Sequence, residues 1–173
     1  MQLISEEYRA LNAQKHEQSA AYGNNADKYA HRVRELARTL GAHTILDYGC
    51  GKRALERSLG FAIQNYDPAF PATAALPAPA DVVCCLDVLE HIEPDYLESV
   101  LDHLKEVTLM RGFFTVSTQP AKKHLADGRN AHLIVQPPEW WLPKILQRWE
   151  LIEFSYNLDN AFYVLVRPRG ATV

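Results

Sequence analysis

The run Ile45-Leu46-Asp47-Tyr48-Gly49-Cys50-Gly51-Lys52-Arg53-Ala54-Leu55 constrains this chain more than any other stretch. A β-branched residue and a leucine lead into an acid, then into two glycines one residue apart, then into residues that suit a helix. The pattern reads as strand, tight turn and helix N-terminus. Glycine lets the backbone turn sharply and come close to a ligand. The first N–H groups of a helix have no intrahelical partner and offer partial positive charge to an anion. The turn is therefore read as a nucleotide- or cofactor-binding device.

Upstream, Ile4, Tyr8, Leu11 and Lys15 recur at helical spacing over residues 2–16, which predicts a first amphipathic helix packed as a cap. Residues 17–25, with Tyr22 and Gly23, have the composition of a loop. Tyr29, Val33, Leu36, Ala37 and Leu40 form one apolar stripe, and Gly41 stands where a left-handed helix cap belongs. A strand at 44–48 enters the glycine turn and a helix over 52–59 leaves it. The second strand, 62–66, ends in Asp67-Pro68. An acid at the tip of the second strand of a nucleotide-binding α/β fold accepts hydrogen bonds from ribose hydroxyls.

Residues 68–80 are rich in proline and alanine, which predicts an irregular connection. Val82 to Leu86 is an unbroken apolar run, as expected of a central parallel strand covered on both faces, and it ends in Asp87-Val88-Leu89-Glu90-His91-Ile92-Glu93-Pro94. Pro94 opens a helix with acids in its first turn and Leu97, Val100, Leu101, Leu104 and Val107 on one face; Gly112 is read as lying just past its end. A strand follows at 113–117, then a polar stretch, 119–130, holding Lys122, Lys123, His124, Asp127, Arg129 and Asn130. A loop of that length in a compact domain is often functional. Residues 138–148 read as a helix that Pro143 should kink or split, and the runs 150–156 and 162–167 read as an antiparallel hairpin. The order predicts a single domain over 1–173, with a helical cap (1–41) on a doubly wound α/β core (42–173).

A chain of 173 residues buries roughly 70% of its unfolded surface and needs no staple. Its net charge of −3 comes with scattered lysines and arginines, so nucleic acid is not an indicated partner. Cys50, Cys84 and Cys85 form neither a CxxC pair nor an even framework and read as reduced thiols. The first residues lack the basic and apolar regions of a signal peptide and no stretch approaches a membrane span, so a cytoplasmic protein is expected, in the host cytoplasm if virus-encoded.

Taken together, Leu46-Asp47-Tyr48-Gly49-Cys50-Gly51, Asp67 after strand two, the Asp87-to-Ile92 run and the closing hairpin resemble the class I S-adenosylmethionine-dependent methyltransferases. The Tyr22-Gly23 loop, the Asp-Tyr-Gly-Cys-Gly-Lys turn, the run from Ala121 to Ile134 and Trp140-Trp141 further resemble a compact subgroup found in phages and bacteria. The resemblance implies a Rossmann-like sheet. Because the connection from Asp67 to Asp81 is short, that sheet is expected to lack the usual third strand and to carry strand two at its edge. It also implies S-adenosylmethionine as cofactor, a small-molecule acceptor, and a cofactor site built from Asp47, Tyr48, Gly49, Cys50, Gly51, Asp67, Pro68, Leu86, Asp87 and, as a lid, Tyr22. Many relatives carry a third glycine where this chain has Arg53, so Arg53 either sits in ordinary helix or reaches outward.

Methyl transfer from a sulfonium needs a base only when the nucleophile must lose a proton, and His91 and His132 are the candidates. Lys123, Arg129, Asn130 and Trp140 are candidate acceptor contacts. Residue types alone would permit zinc on His124, Asp127 and His132, but no ligand spacing supports it and no metal site is expected. Two other readings stand beside the first. Gly49-x-Gly51-x-x-Ala54 followed by Asp67 also satisfies the dinucleotide fingerprint of an NAD-linked dehydrogenase. Arg53 and the shortened sheet would suit a cofactor-binding module without catalysis.

Overall fold

A computed structural model of the chain describes residues 2–18, 25–157 and 160–170. Its order is α1 (Glu6–Gln18), a 3-10 turn (Asn25–Tyr29), α2 (Ala30–Leu40), β1 (Ile45–Tyr48), α3 (Ala54–Leu59), β2 (Gln64–Tyr66) and β3 (Ala80–Leu86). There follow α4 (Leu97–Val107), β4 (Thr108–Ser117), α5 (Pro138–Leu146), β5 (Trp149–Asn157) and β6 (Ala161–Pro168). The sheet runs β2-β1-β3-β4-β6-β5. The first four strands are parallel, and β6 returns antiparallel to β4 and β5. The expected architecture is found, with β2 at the edge and residues 67–79 running as turns and coil.

The strands are apolar on both faces because both faces are covered. Val82, Cys84 and Leu86 join Ile45, Leu55, Val33 and Phe113 in one core layer, while Val83 and Cys85 join Leu46, Leu101, Trp141 and Trp149 in the other. Side chains two apart share a face, so the adjacent thiols Cys84 and Cys85 belong to opposite layers; both are free and buried. No helix of the described residues is long and apolar enough to cross a membrane.

Two local expectations are corrected and one alternative is decided. Gly112 does not follow a helix end: α4 stops at Val107 and β4 begins at once. The glycine lies inside β4, where a Cβ would stand 2.5 Å from the Phe114 ring and 3.0 Å from Val166, so packing excludes a side chain there. Pro143 does not split α5, which runs unbroken through it. Beyond the first turn the proline gives up one intrahelical hydrogen bond, and the burial of Trp141 and Ile145 in the core holds the helix together through it. Of the two alternatives for Arg53, the second is found: it is not ordinary helix, and it reaches outward. Its backbone is left-handed (φ 57°) and its side chain is exposed, so arginine occupies a glycine-like conformation.

Candidate active site

A cavity of about 480 Å³ opens beyond the carboxyl ends of β1, β2 and β3. This is where the strand order reverses, with β2 on one side of β1 and β3 on the other. The glycine turn is its floor. The turn is held from below: the N–H groups of Gly49 and Cys50 donate to the Tyr66 carbonyl at 2.7 and 3.0 Å, and that of Gly51 donates to Asp67 Oδ2 at 3.0 Å. These three N–H groups are thus bonded within the protein rather than turned toward a ligand. Gly49 (φ 78°) is required on two counts, since a Cβ there would meet Val88 Cγ2 at 2.4 Å.

Asp67 is buried at the cavity wall, and its second oxygen, Oδ1, accepts from the Ala69 N–H at 2.9 Å. Each carboxylate oxygen has two lone pairs, so one on each remains for a ligand hydroxyl. Burial pushes the Asp67 carboxyl above the usual range, against the two N–H bonds that stabilise its charge. Asp47 is buried behind the turn and does not line the cavity. Desolvation first, then Asp67 and Glu56, push it up to about 7. Its Oδ2 has no hydrogen-bond partner among the described residues. Cys50, on the floor, is pushed up to about 12 by burial and then by Asp47 and Asp67, which keeps it a thiol.

The wall beyond β3 is built from two segments. Asp87 takes a left-handed backbone (φ 63°), a conformation that persists only when surrounding contacts impose it. Here its N–H donates to the Thr115 carbonyl and hydroxyl, at 3.2 and 2.9 Å. His91 follows on a 3-10 turn (Leu89–His91). Its ring meets that of His132, brought by the 119–132 loop, edge to face with centroids 4.7 Å apart. His91 Nδ1 lies 2.7 Å from the Ala131 carbonyl and His132 Nδ1 lies 2.6 Å from the Gln119 carbonyl. A carbonyl only accepts, so each Nδ1 bears the proton and each Nε2 carries the lone pair. Burial, then the neighbouring His132, pull His91 down to about 4, so its ring is neutral near pH 7.

The helix α1 closes the cavity from above, lining it with Tyr8, Asn12 and His16. Ser5 caps α1 by accepting from the Tyr8 N–H, and its own N–H and hydroxyl donate to the Glu93 carboxylate at 2.8 and 2.7 Å. Tyr8 donates its hydroxyl to the His91 carbonyl, and Lys15 Nζ donates to the His124 carbonyl. The cap is thus fastened to both segments that carry the histidines.

Of the residues expected at the site, Tyr48, Gly49, Cys50, Gly51, Asp67, Pro68, Leu86, Asp87, His91, His132 and Lys123 line the cavity together. Tyr22 lies outside the described residues. Arg129, Asn130 and Trp140 are not on the wall. Arg129 is exposed and bonded to Asp127, while Trp140 packs on the core under Lys144. Asn130 is a clamp: its side-chain amide exchanges hydrogen bonds with both backbone groups of Ala121 and accepts from the His132 N–H. An asparagine can brace a loop this way as readily as it can meet a ligand. Sequence reasoning missed Glu90, which is wholly buried beneath the histidines, and the α1 contribution. The signal for Glu90 was faint: an acid one residue before a histidine in a run that breaks an apolar strand.

Comparison with known proteins bears on the whole arrangement. A family model described as a methyltransferase domain matches residues 11–154. No curated protein gives a significant match. Among solved structures, the 1,6-didemethyltoxoflavin-N1-methyltransferase of Burkholderia thailandensis, with bound S-adenosylhomocysteine, aligns at TM-score 0.64 and 18% identity over 97% of this chain and 92% of that one. The N-methyltransferase NodS of Bradyrhizobium japonicum, also with S-adenosylhomocysteine, aligns at 0.57 and 13% identity over 91% and 98%. The magnesium protoporphyrin IX methyltransferase of Synechocystis aligns at 0.57 and 17% over 82% of each chain. At these identities the likeness carries the fold.

Proposed function

The chain belongs to the methyltransferase-domain family, and on that premise we propose that its cavity binds S-adenosylmethionine and directs the methyl group to a small-molecule acceptor. The observation that carries the reading is the union of the Gly49–Gly51 turn and Asp67 in one cavity, bonded to each other across the β1 and β2 ends. About 480 Å³ is within the range of small-ligand sites. The dehydrogenase and non-catalytic readings gain nothing from the family match.

The residues present fit the cofactor. Asp67 would accept from the ribose hydroxyls on its remaining lone pairs, in charge-assisted bonds. Gly49 would keep the turn packed on Val88, with its main chain on the cavity wall beside the ligand. Leu86 and Asp87, at the end of the central strand, would flank the reacting end. The bound cofactor supplies a methyl group on a positively charged sulfur that is already a good leaving group. The protein's task is therefore alignment and exclusion of water. His91 and His132, with Lys123, would meet the acceptor. His91, neutral near pH 7 with its lone pair on Nε2, can take a proton from an acceptor that must lose one. On the same reading the chain is of the compact phage and bacterial type with the Asp-Tyr-Gly-Cys-Gly-Lys turn, and it works in the cytoplasm.

Calorimetric titration of the purified chain with S-adenosylmethionine, S-adenosylhomocysteine and NAD tests the proposal. Binding of the two sulfur cofactors with no heat from NAD is expected. Binding of NAD alone would overturn it.

A further inference from the structure

We propose that Glu90, His91 and His132, with Asp87 beside them, form a binding site for one divalent transition-metal ion at the acceptor end of the cavity. Glu90, His91 and His132 each offer a ligand atom, and these atoms lie within 4.8 Å of one another. Tetrahedral bonds of about 2.0–2.1 Å place ligands roughly 3.4 Å apart, so the set has to contract by little more than an ångström. His132 stands on a loop and is the group able to close it.

Three features mark this as a ligand set. Both imidazoles donate Nδ1–H to backbone carbonyls, Ala131 for His91 and Gln119 for His132. This arrangement orients metal-binding histidines and puts the lone pair on Nε2. Glu90 is wholly buried, yet only one of its oxygens is satisfied, by the Ser117 N–H at 2.7 Å. The other, Oε2, has no hydrogen-bond partner among the described residues, and the Asp87 carboxyl stands beside the Glu90 carboxyl. A wholly buried carboxyl with an unsatisfied oxygen, set beside a second carboxyl and two imidazole lone pairs, is an arrangement that a bound cation would relieve. Third, the backbone is committed to the cluster: Asp87 is held in a left-handed conformation, and Asn130 and Ala131 fix the loop that delivers His132.

Two imidazoles with carboxylate suit zinc, manganese, iron or cobalt better than magnesium or calcium. Asp87, His91 and His132 also line the cavity, so positions left open on the ion face the space beyond the turn. With an ion bound, both Nε2 lone pairs are committed to it, so His91 can take a proton only in the metal-free chain; an acceptor oxygen, from a hydroxyl or carboxylate, can complete the coordination there. This part of the inference rests on the methyltransferase reading; the metal site itself does not.

The test is titration of chelator-treated, full-length protein with zinc, manganese and magnesium chlorides, with S-adenosylhomocysteine titrated in parallel. One transition ion per chain is expected, with magnesium weaker. His132→Ala and Glu90→Gln should each weaken metal binding about tenfold or more. His124→Ala, on the same loop but off the cavity, should not weaken it. Thermal melts establish that the variants fold, and His132→Ala, on the loop, keeps the test valid if the buried Glu90 variant does not. Absence of stoichiometric metal binding, or binding undiminished in His132→Ala, would overturn the site. If S-adenosylhomocysteine still binds in that event, the methyltransferase reading stands without it; if metal binds and S-adenosylhomocysteine does not, the site survives and the reading falls.

Discussion

At the scale of single residues, two of the three left-handed positions in one turn, Gly49 and Arg53, differ in what enforces that backbone. At Gly49 both the φ of 78° and the Val88 methyls exclude a side chain. At Arg53 only the φ is unusual, because the side chain is exposed. Left-handed backbone costs a non-glycine residue about 1–2 kcal/mol. Arg53→Gly should therefore raise stability by up to about 1 kcal/mol after glycine's greater unfolded-state entropy is subtracted, with S-adenosylhomocysteine affinity unchanged. Gly49→Ala should lose both stability and cofactor binding, and adding Val88→Ala should restore part of the stability. Denaturant melts and calorimetry on the three variants decide this.

Asp47 gives a pH prediction whose sign follows from burial. Its folded pKa, about 7, exceeds the ordinary 3.8, so the folded state holds a proton that the unfolded state has already lost. Stability from this group is intact below about pH 4, falls as pH rises toward 7, and is flat above. Asp47→Asn cannot ionise and should gain on the wild type across that window, by a few kcal/mol at most given about 1.4 kcal/mol per unit. A stability difference between the two proteins that does not change with pH would contradict the assignment.

At the scale of elements, the first helix is a lid held by polar bonds more than by its own helicity. Its buried residues are few, Tyr8 and His16. Its anchors are Ser5 on Glu93, Tyr8 on the His91 carbonyl and Lys15 on the His124 carbonyl. Glu93→Ala removes the partner of both the Ser5 N–H and its hydroxyl. Hydrogen exchange in α1 should quicken by roughly tenfold or more, with the amides of β1, β3 and β4 unaffected, because a charged hydrogen bond contributes about 1.5–3 kcal/mol. Cofactor affinity should fall with it, since Asn12 and His16 leave the wall.

At the scale of the whole molecule, a ligand that occupies a cavity assembled from three strand ends, a lid and a loop can bind only the folded chain. S-adenosylhomocysteine at 100 times its dissociation constant should then stabilise the fold by about 2.7 kcal/mol and raise Tm by several degrees, and NAD should leave Tm unchanged. The two cores on either side of the sheet make that cavity rigid at its floor. The loop and lid, fastened by hydrogen bonds, are the parts free to adjust.

The sequence by itself determined the sheet, the turn and their order. Apolar periodicity, glycine spacing and the acids after the strands are local signals, and each is enforced by sterics within a few residues. It also placed Asp67, Leu86 and Asp87, because strand ends of a parallel sheet converge on one edge. It could not determine where the 119–132 loop and α1 come to rest. Arg129, Asn130 and Trp140 had the composition of ligand contacts, yet one faces solvent, one braces Ala121 and His132, and one packs on the core. Only the tertiary structure decided that His132 meets His91 above the buried Glu90. That contact joins residues about forty positions apart through backbone carbonyls and one asparagine clamp. No periodicity records such bonds, because they depend on the path of the loop and not on the faces of a helix or strand.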